Sequence, residues 1–314
     1  MNPIQLPSLG YADRAVQFTP SNQTTHRDAM AYSVQSAFDQ FYERINLTGD
    51  HRATANARRD SIVSLLENHF EILEAFGSGS IPRFTALKSM ADLDVTVVLH
   101  YGKHIKDKTP TQVLQGVRDA LGTYRNQVRK NGQAVTLFYK TWPNVDIVPV
   151  SRSADVNGNI THYNVPDANT GAWIESNPKE HASDVDSRAG ICGANFRMII
   201  KMIKAWNGAH SNYLQSYHIE VMALKTFQSS LSDLPWDVYW AFKSFKELVA
   251  NPLYHRRGYA DAYLTPSDRF EVSRRLTTAM ATAQMAWYLG NKGDTAEAIK
   301  SWLQVFGGSF PAYG

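Results

Sequence analysis

The stretch that decides the fold is GSGSIPRFTALKSMADLDVTVVL, residues 77–99. Its last part, Val95–Leu99, is rich in β-branched residues and is typical of a buried strand. Asp92 and Asp94 stand at the start of that strand. Because residues two apart in a strand point to the same face, the sequence predicts that these two carboxylates lie side by side.

The same stretch begins with a Gly-Ser pair, Gly77 and Ser78, which follows another apolar run. A glycine turn lets the backbone approach an anion closely and can aim backbone N–H groups at it. Two adjacent carboxylates repel each other, and a divalent cation such as Mg²⁺, shared with substrate phosphates, compensates this best. The combination indicates a site for a nucleotide phosphate and its metal.

A third carboxylate, Asp146, lies in a second short apolar strand, Val145–Val150. Burying an Asp in such a strand is costly unless the carboxylate is paired or bound to metal. If this strand lies beside the first, Asp146 reaches the Asp92 and Asp94 pair. Three carboxylates holding two metal ions suit the in-line attack of a hydroxyl on a nucleotide phosphate. The plainer interpretation is that all three acids are solvated strand ends.

Together these motifs resemble the signature of the DNA polymerase β-like nucleotidyltransferase superfamily. More closely, the chain resembles the bacterial cGAS/DncV-like nucleotidyltransferases (CD-NTases). The resemblance implies an α+β fold: a polymerase β-like core with a mixed β-sheet, a C-terminal helical lobe, and an active site in the cleft between them.

The resemblance also assigns roles to the motif residues. Asp92 and Asp94 would hold two Mg²⁺ ions, with Mn²⁺ as an alternative metal. Asp146 would ligate the metal nearer the attacking hydroxyl and could act as its base. Gly77 and Ser78 would fix the β- and γ-phosphates of the donor nucleotide.

A basic stripe in the helical half is the next candidate. Arg197, Lys201 and Lys204 lie at i, i+4 and i+7 of an amphipathic segment, and therefore on a common side of a helix. Such a stripe is usually a solvated face. A Ser-Tyr pair, Ser216 and Tyr217, follows after a short loop.

This part of the chain resembles the donor-nucleotide site of the cGAS family. By that resemblance Arg197 and Lys204 belong to the nucleotide site, with Lys204 on the triphosphate, Ser216 contacting phosphate and Tyr217 stacking on the donor base. Stacking needs only a π-face, so Tyr217 would not by itself select the base. A core aromatic is the plainer interpretation of Tyr217.

Two further segments resemble the family. Arg83 lies in the linker between the Gly-Ser pair and the aspartates, and would either contact substrate phosphate or be solvated at the surface. The segment WIESNPKEHAS, residues 173–183, resembles the family's W-x-x-S-N-P-x-x-H crossing from the catalytic to the helical lobe. Its Pro178 suits the start of a helix.

Composition describes a globular chain of 314 residues that is 43% hydrophobic, with a net charge of +3. The single cysteine, Cys192, excludes an intrachain disulfide and fits a reducing cytoplasm. No apolar run approaches membrane-spanning length, and the first residues lack the pattern of a secretory signal. The small net charge does not indicate an extended nucleic-acid surface.

The predicted organisation has four parts. These are an N-terminal arm (1–27), a catalytic lobe that includes long N-terminal helices (28–188), a helical lobe (189–306) and a flexible tail (307–314). Within the catalytic lobe the spacing of apolar residues predicts a helix over 28–47, ended by a turn at Gly49-Asp50, and another over 111–130.

The resemblance implies a cyclic oligonucleotide synthase. It would join nucleoside triphosphates into a cyclic di- or trinucleotide second messenger of anti-phage defence (CBASS-like), which activates a downstream effector. We expect no membrane partner, no obligatory nucleic acid and a cytoplasmic location. The terminal Gly314 is compatible with a conjugating partner enzyme that acts on the C-terminus.

Three alternatives remain open at this point. A tRNA nucleotidyltransferase or poly(A) polymerase would use the same catalytic set but would want a more basic surface. A nucleotidyltransferase that modifies protein or tRNA and is controlled by an antitoxin is the more serious rival. A non-enzymatic descendant would have lost carboxylates that this chain keeps.

Overall fold

The computed structural model describes residues 32–88, 92–122 and 128–314. The arm predicted for residues 1–27 lies outside the described residues. The helices are α1 (Val34–Ile45), α2 (Gly49–Glu67), α3 (Pro110–Ala120), α4 (Pro178–Cys192), α5 (Asn195–Ala209), α6 (Ser216–Thr226), α7 (Leu234–Val249), α8 (Pro266–Asn291) and α9 (Thr295–Phe306). The strands are β1 (Ile72–Ser78), β2 (Leu93–Leu99), β3 (Val128–Asn131), β4 (Ala134–Leu137), β5 (Val145–Ala154), β6 (Ile160–Asp167), β7 (Ala172–Ser176), β8 (Tyr254–His255) and β9 (Gly258–Tyr259).

The main sheet is mixed and runs in the order β1-β2-β5-β4-β3. Strands β2 and β5 are parallel, whereas β1 and β4 pair with them in antiparallel fashion. The long β5 pairs with β2 and β4 through its first part and with β6 through its later part, and β7 follows β6. The predicted adjacency of the two aspartate strands is confirmed, with β5 at the centre.

Strand β2 is buried on both faces, which explains its β-branched composition. Leu93, Val95 and Val97 join a core formed with α2 and α3. Val98 points the other way, into a small cluster with Val150 of β5 and residues of β6. Since side chains alternate along a strand, the aspartates share the face of Val98, away from the covering helices.

The second, larger core lies among the helices. Apolar residues of α5, α6 and α7 form its centre, and α8 and α9 close it. It also takes in Phe38 and Phe41 of α1 and Val185 of α4. Residues of α1 and α4 therefore pack against the helical core, and the lobe boundary at residue 189 stays a prediction.

Two helix predictions are corrected by the structure. Gly49 begins α2, with Thr48 before it in the N-cap position, so the predicted turn is a helix start. The helix predicted over 111–130 ends at Ala120, and Val128–Asn131 instead forms β3. Here the hydrogen bonds that β3 makes with β4 prevail over a sequence whose apolar spacing favours a helix.

The predicted flexible tail is also corrected in part. Gly307–Ser309 forms a 3-10 turn, and Phe310 is only 1% exposed. Its ring lies 5.3 Å from those of Phe38 and Phe41 of α1, measured between centroids. Burial of this aromatic side chain holds the segment against the helical lobe.

The described helices include none with both the length and the apolar character needed to cross a bilayer.

Candidate active site

A row of polar side chains crosses four neighbouring strands of the sheet. Ser78 of β1 lies opposite Asp94 of β2, Asp94 lies opposite Asp146 of β5, and Asp146 lies opposite Thr136 of β4. Residues opposite one another on adjacent strands project to the same face. The row therefore brings Asp94 and Asp146 together, and Asp92, which directly precedes β2, completes a group of three carboxylates.

Neighbouring polar groups orient two of these carboxylates. The Thr136 hydroxyl donates a hydrogen bond to Asp146 Oδ1 at 2.5 Å. The Asn144 amide donates to Asp92 Oδ1 at 3.3 Å. Each bond occupies one oxygen and leaves the other free to accept a proton or a metal, as is usual for groups that support metal ligands.

The tightest contact of the Gly-Ser turn is at Gly79 rather than at Gly77. Gly79 has a φ of +71°, and a Cβ placed there would lie 1.6 Å from Oδ2 of Asp94. A Cβ at Gly77 would meet its nearest neighbour, a side-chain carbon of Pro82, only at 4.0 Å. The close backbone approach expected of this motif therefore falls on Gly79, where the turn lies against the carboxylate of Asp94.

The three carboxylates disfavour one another's charge. Burial raises the pKa of Asp94 to about 6, and the nearby charge of Asp146 adds to that effect. Burial and the same Asp146 charge raise the pKa of Asp92. A site that offers only carboxylate oxygens and is short of positive charge fits a hard divalent cation such as Mg²⁺.

A buried ion cluster lies between the sheet and the helical lobe. Glu220 of α6 is completely buried and accepts hydrogen bonds from Arg83 at 2.9 Å and from Thr85 at 2.5 Å, both in the turn after β1. It also accepts from Lys204 of α5 at 2.7 Å. Burial alone would raise the pKa of Glu220, but the charges of Lys204 and Arg83 hold it well below its usual range.

The basic stripe of α5 is therefore not a solvated face. Lys201 donates to Asn46 at 2.6 Å and is 3% exposed. Lys204 is 5% exposed, and its three Nζ bonds go to Glu220 and to the carbonyl and hydroxyl oxygens of Thr85. Burial lowers the pKa of Lys204. Arg197 donates to the backbone carbonyl of Arg83 at 3.1 Å.

Two clefts open on either side of this cluster. The first is lined by Ser80 and Thr85 from the Gly-Ser turn and by Lys204 and Ser216 from the helices. Ser216 is exposed and is the first residue of α6, where unpaired backbone N–H groups favour anions. The second cleft is lined by Arg83, Tyr217 and neighbouring residues of α4 and the β8–β9 hairpin.

Tyr217 is not the core aromatic that its plainer interpretation predicts. Its side chain is 36% exposed and lines the second cleft, with its ring 4.7 Å from that of His181 between centroids. A partly exposed aromatic ring in a cleft is suited to stacking on a base.

The chain matches the family described as "Second Messenger Oligonucleotide or Dinucleotide Synthetase domain" over residues 32–188. The chain belongs to this family. The match covers β1, β2 and β5, so it includes every residue of the polar row and Asp92. The predicted enzyme class, a nucleotidyltransferase that makes an oligonucleotide second messenger, is confirmed.

Similar proteins agree with that assignment. The probable cyclic nucleotide synthase of Bacillus cereus (strain VD146) is 22% identical, with 90% of this chain and 99% of that protein covered. The CBASS oligonucleotide cyclase CdnC of Escherichia coli (strain KTE188) is 23% identical, with 85% and 93% covered. The solved structure of E. coli MS115-1 CdnC with ATP superposes with a TM-score of 0.66 at 20% identity, covering 87% of this chain and 98% of that one. This likeness confirms the predicted fold class.

Several residues of the site in this synthetase were missed by sequence reasoning. Thr136 and Asn144 carry no signal that distinguishes them from other polar strand and turn residues. Glu220 does carry one, since it is an acid within the apolar run His218-Ile219-Glu220-Val221-Met222 of α6. An acid in such a run must find a partner, and the nearby Lys204 was already singled out.

Proposed function

We propose that this synthetase joins nucleoside triphosphates into a cyclic di- or trinucleotide at the polar row of the sheet. The observation that supports the proposal best is the register Ser78–Asp94–Asp146–Thr136, with Asp92 beside it. It groups three carboxylates, two of them oriented by hydrogen bonds, next to a glycine turn that borders a cleft. The solved relative named with ATP supports nucleoside triphosphates as substrates.

Asp92, Asp94 and Asp146 would hold two Mg²⁺ ions, with Mn²⁺ as the alternative, because the group presents only carboxylate oxygens whose charges need compensation. When bound, such ions neutralise phosphate charge and lower the pKa of a hydroxyl or of water.

The turn and the start of α6 would hold the triphosphate. Gly77 and Ser78 stand at the end of β1, and the turn that follows them lines the first cleft at Ser80, together with Ser216 at the start of α6. Lys204 borders the same cleft, but its donors are engaged with Glu220 and Thr85. It would therefore act on the phosphates chiefly through its charge unless these bonds open.

Arg197 would act as a support in the same site, since it holds the backbone of Arg83. Tyr217 would stack on the donor base in the second cleft.

Asp146 would take the proton of the attacking hydroxyl. Thr136 occupies its Oδ1, so Oδ2 is the atom that would accept the proton. The attacking oxygen then bonds to the α-phosphorus of the donor, and pyrophosphate leaves. A final transfer within the linear di- or trinucleotide, from its own 5′-triphosphate, would close the ring and release one more pyrophosphate.

The relatives named as CBASS cyclases favour a defence role, in which the cyclic product activates a separate effector. We propose the same role here, in the cytoplasm and with activity that does not require added DNA or RNA. A partner enzyme that conjugates the chain through Gly314 stays a prediction, and removal of Gly314 in cells that carry such a partner tests it.

The experiment that tests the proposal identifies the acceptor. Purified protein is incubated with Mg²⁺ and α-labelled triphosphates, alone and with added tRNA and cell protein, and the products are treated with phosphatase. We expect a small labelled product that resists phosphatase and forms without the macromolecules. Label found only on tRNA or protein would instead support the rival nucleotidyltransferase that modifies those acceptors.

A further inference from the structure

A second group of potential metal ligands lies away from the three aspartates, where α4 meets the β8–β9 hairpin. His181 and Asp184 are one turn apart on α4, and His255 ends β8. One ligand atom from each of the three residues lies within 4.8 Å of the others. Oδ2 of Asp184 and Nε2 of His255 are 3.3 Å apart.

His181 presents a nitrogen that has no hydrogen-bond partner among the residues that the structure describes. Its Nε2 lies 2.8 Å from Oε2 of Glu220, an oxygen that also accepts a hydrogen bond from Arg83, so this ring nitrogen is the donor. In the neutral ring the other nitrogen, Nδ1, then carries a free lone pair. Nδ1 is buried, accepts no hydrogen bond, and belongs to a residue that is only 6% exposed.

His255 repeats the pattern from the hairpin side. Its Nε2 is also buried and makes no hydrogen bond of good geometry. Two buried imidazole nitrogens that lack a well-aligned hydrogen-bond partner, beside one carboxylate, destabilise the folded protein. A cation bound between them would satisfy both nitrogens.

The three groups have the chemistry of a transition-metal site. Two neutral imidazoles and a carboxylate suit Zn²⁺ and not Mg²⁺, which prefers oxygen ligands. The carboxylate of Glu220 behind His181 is the kind of outer partner that fixes a ligating histidine in place. Ligand atoms of tetrahedral zinc are about 3.3 Å apart. The widest separation between two ligand atoms of this group must therefore shorten by about 1.5 Å, and rotation of the side chains can supply that movement.

One contact opposes the metal. Arg256 donates to both oxygens of Asp184, with Nε at 2.9 Å from Oδ2. A carboxylate oxygen has a second lone pair, so Oδ2 can bind a cation while it keeps this bond. Loss of Arg256 should nevertheless strengthen metal binding, because its positive charge is close to the site.

We propose that His181, Asp184 and His255 form a Zn²⁺ site, with Nδ1 of His181, Oδ2 of Asp184 and Nε2 of His255 as ligands and water in the fourth position. The metal would fasten the β8–β9 hairpin to α4. Both elements border the second cleft beside Tyr217, so the site would set the shape of that cleft.

The test measures Zn²⁺ binding to the full chain without an affinity tag, by calorimetry in excess Mg²⁺ so that the aspartate site is occupied. We expect one Zn²⁺ per chain and a rise in melting temperature on binding. His255→Asn and Asp184→Asn should each weaken binding by roughly tenfold or more, and Arg256→Gln should strengthen it. His69→Asn, at an exposed histidine outside the group, is the matched control.

A second measurement does not depend on variants. X-ray absorption of the zinc-loaded wild-type protein should show two imidazole ligands, and Co²⁺ in place of Zn²⁺ should give visible absorption bands of a site of low coordination number. Absence of Zn²⁺ binding, a zinc shell without imidazole, or unchanged affinity in folded His255→Asn protein would overturn the proposal.

Discussion

At the scale of single residues, Asp94 makes it possible to measure the free-energy cost of ionising a carboxylate in this site. Its pKa is raised from 3.8 to about 6 in the folded protein, so its ionised form is less favourable there than in the unfolded chain. This cost is absent below about pH 4, develops as the pH rises to about 6, and is complete above it.

We therefore expect Asp94→Asn to stabilise the metal-free protein. The gain in the free energy of unfolding should be about 3 kcal/mol at neutral pH and should shrink as the pH falls toward 4. Urea unfolding in chelator at several pH values measures it, with the exposed Asp60→Asn as control. Mg²⁺ should stabilise the wild type more than the variant. A variant less stable than the wild type at neutral pH would contradict this account of the site.

Gly79 provides a second test at the same scale. In Gly79→Ala the new Cβ would overlap Oδ2 of Asp94, so either the turn or the carboxylate must move. A displacement of about 1 Å at a reacting group costs on the order of a hundredfold in rate.

Gly158→Ala is the matched control, since Gly158 has a similar φ of +82° but open space where the Cβ would lie. Both variants are destabilised by about 1 kcal/mol because an alanine side chain is strained at positive φ. Only Gly79→Ala should lose most of its activity in an assay of product formation. Equal activity in the two variants would show that the contact with Asp94 does not matter.

The site residues that could be predicted from the sequence are those whose charge is costly to bury among their sequence neighbours. Asp92, Asp94 and Asp146 stand in or beside apolar strands, and the structure brings them together. Gly79 could not be separated from Gly77, because its φ and its contact with Asp94 depend on a turn that closes only in the folded chain.

At the scale of secondary-structure elements, Glu220 connects α6 to the turn after β1 and to α5. Replacing Glu220 with Gln leaves the buried cations of Lys204 and Arg83 without their counter-charge. We expect a loss of about 3–5 kcal/mol in the free energy of unfolding.

The control is Glu247→Gln, an exposed acid on α7, whose effect should stay within about 0.5 kcal/mol. Chemical denaturation of both variants beside the wild type gives the comparison. If Glu220→Gln unfolds at the same denaturant concentration as the wild type, the ion cluster does not hold the lobes together.

Element boundaries were less predictable than element identity. Gly49 was expected to end a helix and instead begins α2, since glycine is compatible with both positions. The apolar spacing of residues 111–130 favours one helix, yet pairing with β4 makes a strand of Val128–Asn131. Contacts with segments distant in sequence decide where such helices and strands begin and end.

At the scale of the whole molecule, α1 and the last residues close the helical lobe together. Phe310 packs against Phe38, Phe41 and Phe306, although its segment was predicted as a flexible tail. We expect Phe310→Ala to cost about 3–5 kcal/mol. Tyr313→Ala, at a side chain that is 46% exposed, should cost much less. Calorimetric melting compares the two variants. Similar melting temperatures would mean that Phe310 does not contribute to the stability of the hydrophobic core.

The mixed sheet and the helical lobe followed from the sequence because the catalytic motifs resemble one superfamily. The packing partner of α1 and α4 was not predictable, because either lobe could have covered the apolar residues of these helices. Their apolar faces join the helical core in the folded chain.

The measurement that tests the central claim most directly is product formation by single aspartate variants. Wild type, Asp94→Asn, Asp146→Asn and the control Asp60→Asn are compared with saturating Mg²⁺ and triphosphates, and the phosphatase-resistant product is quantified. We expect product formation by Asp94→Asn and Asp146→Asn to fall by on the order of a thousandfold, while Asp60→Asn keeps wild-type activity. Undiminished product from folded Asp94→Asn or Asp146→Asn protein would contradict the assignment of the reaction to this row of the sheet.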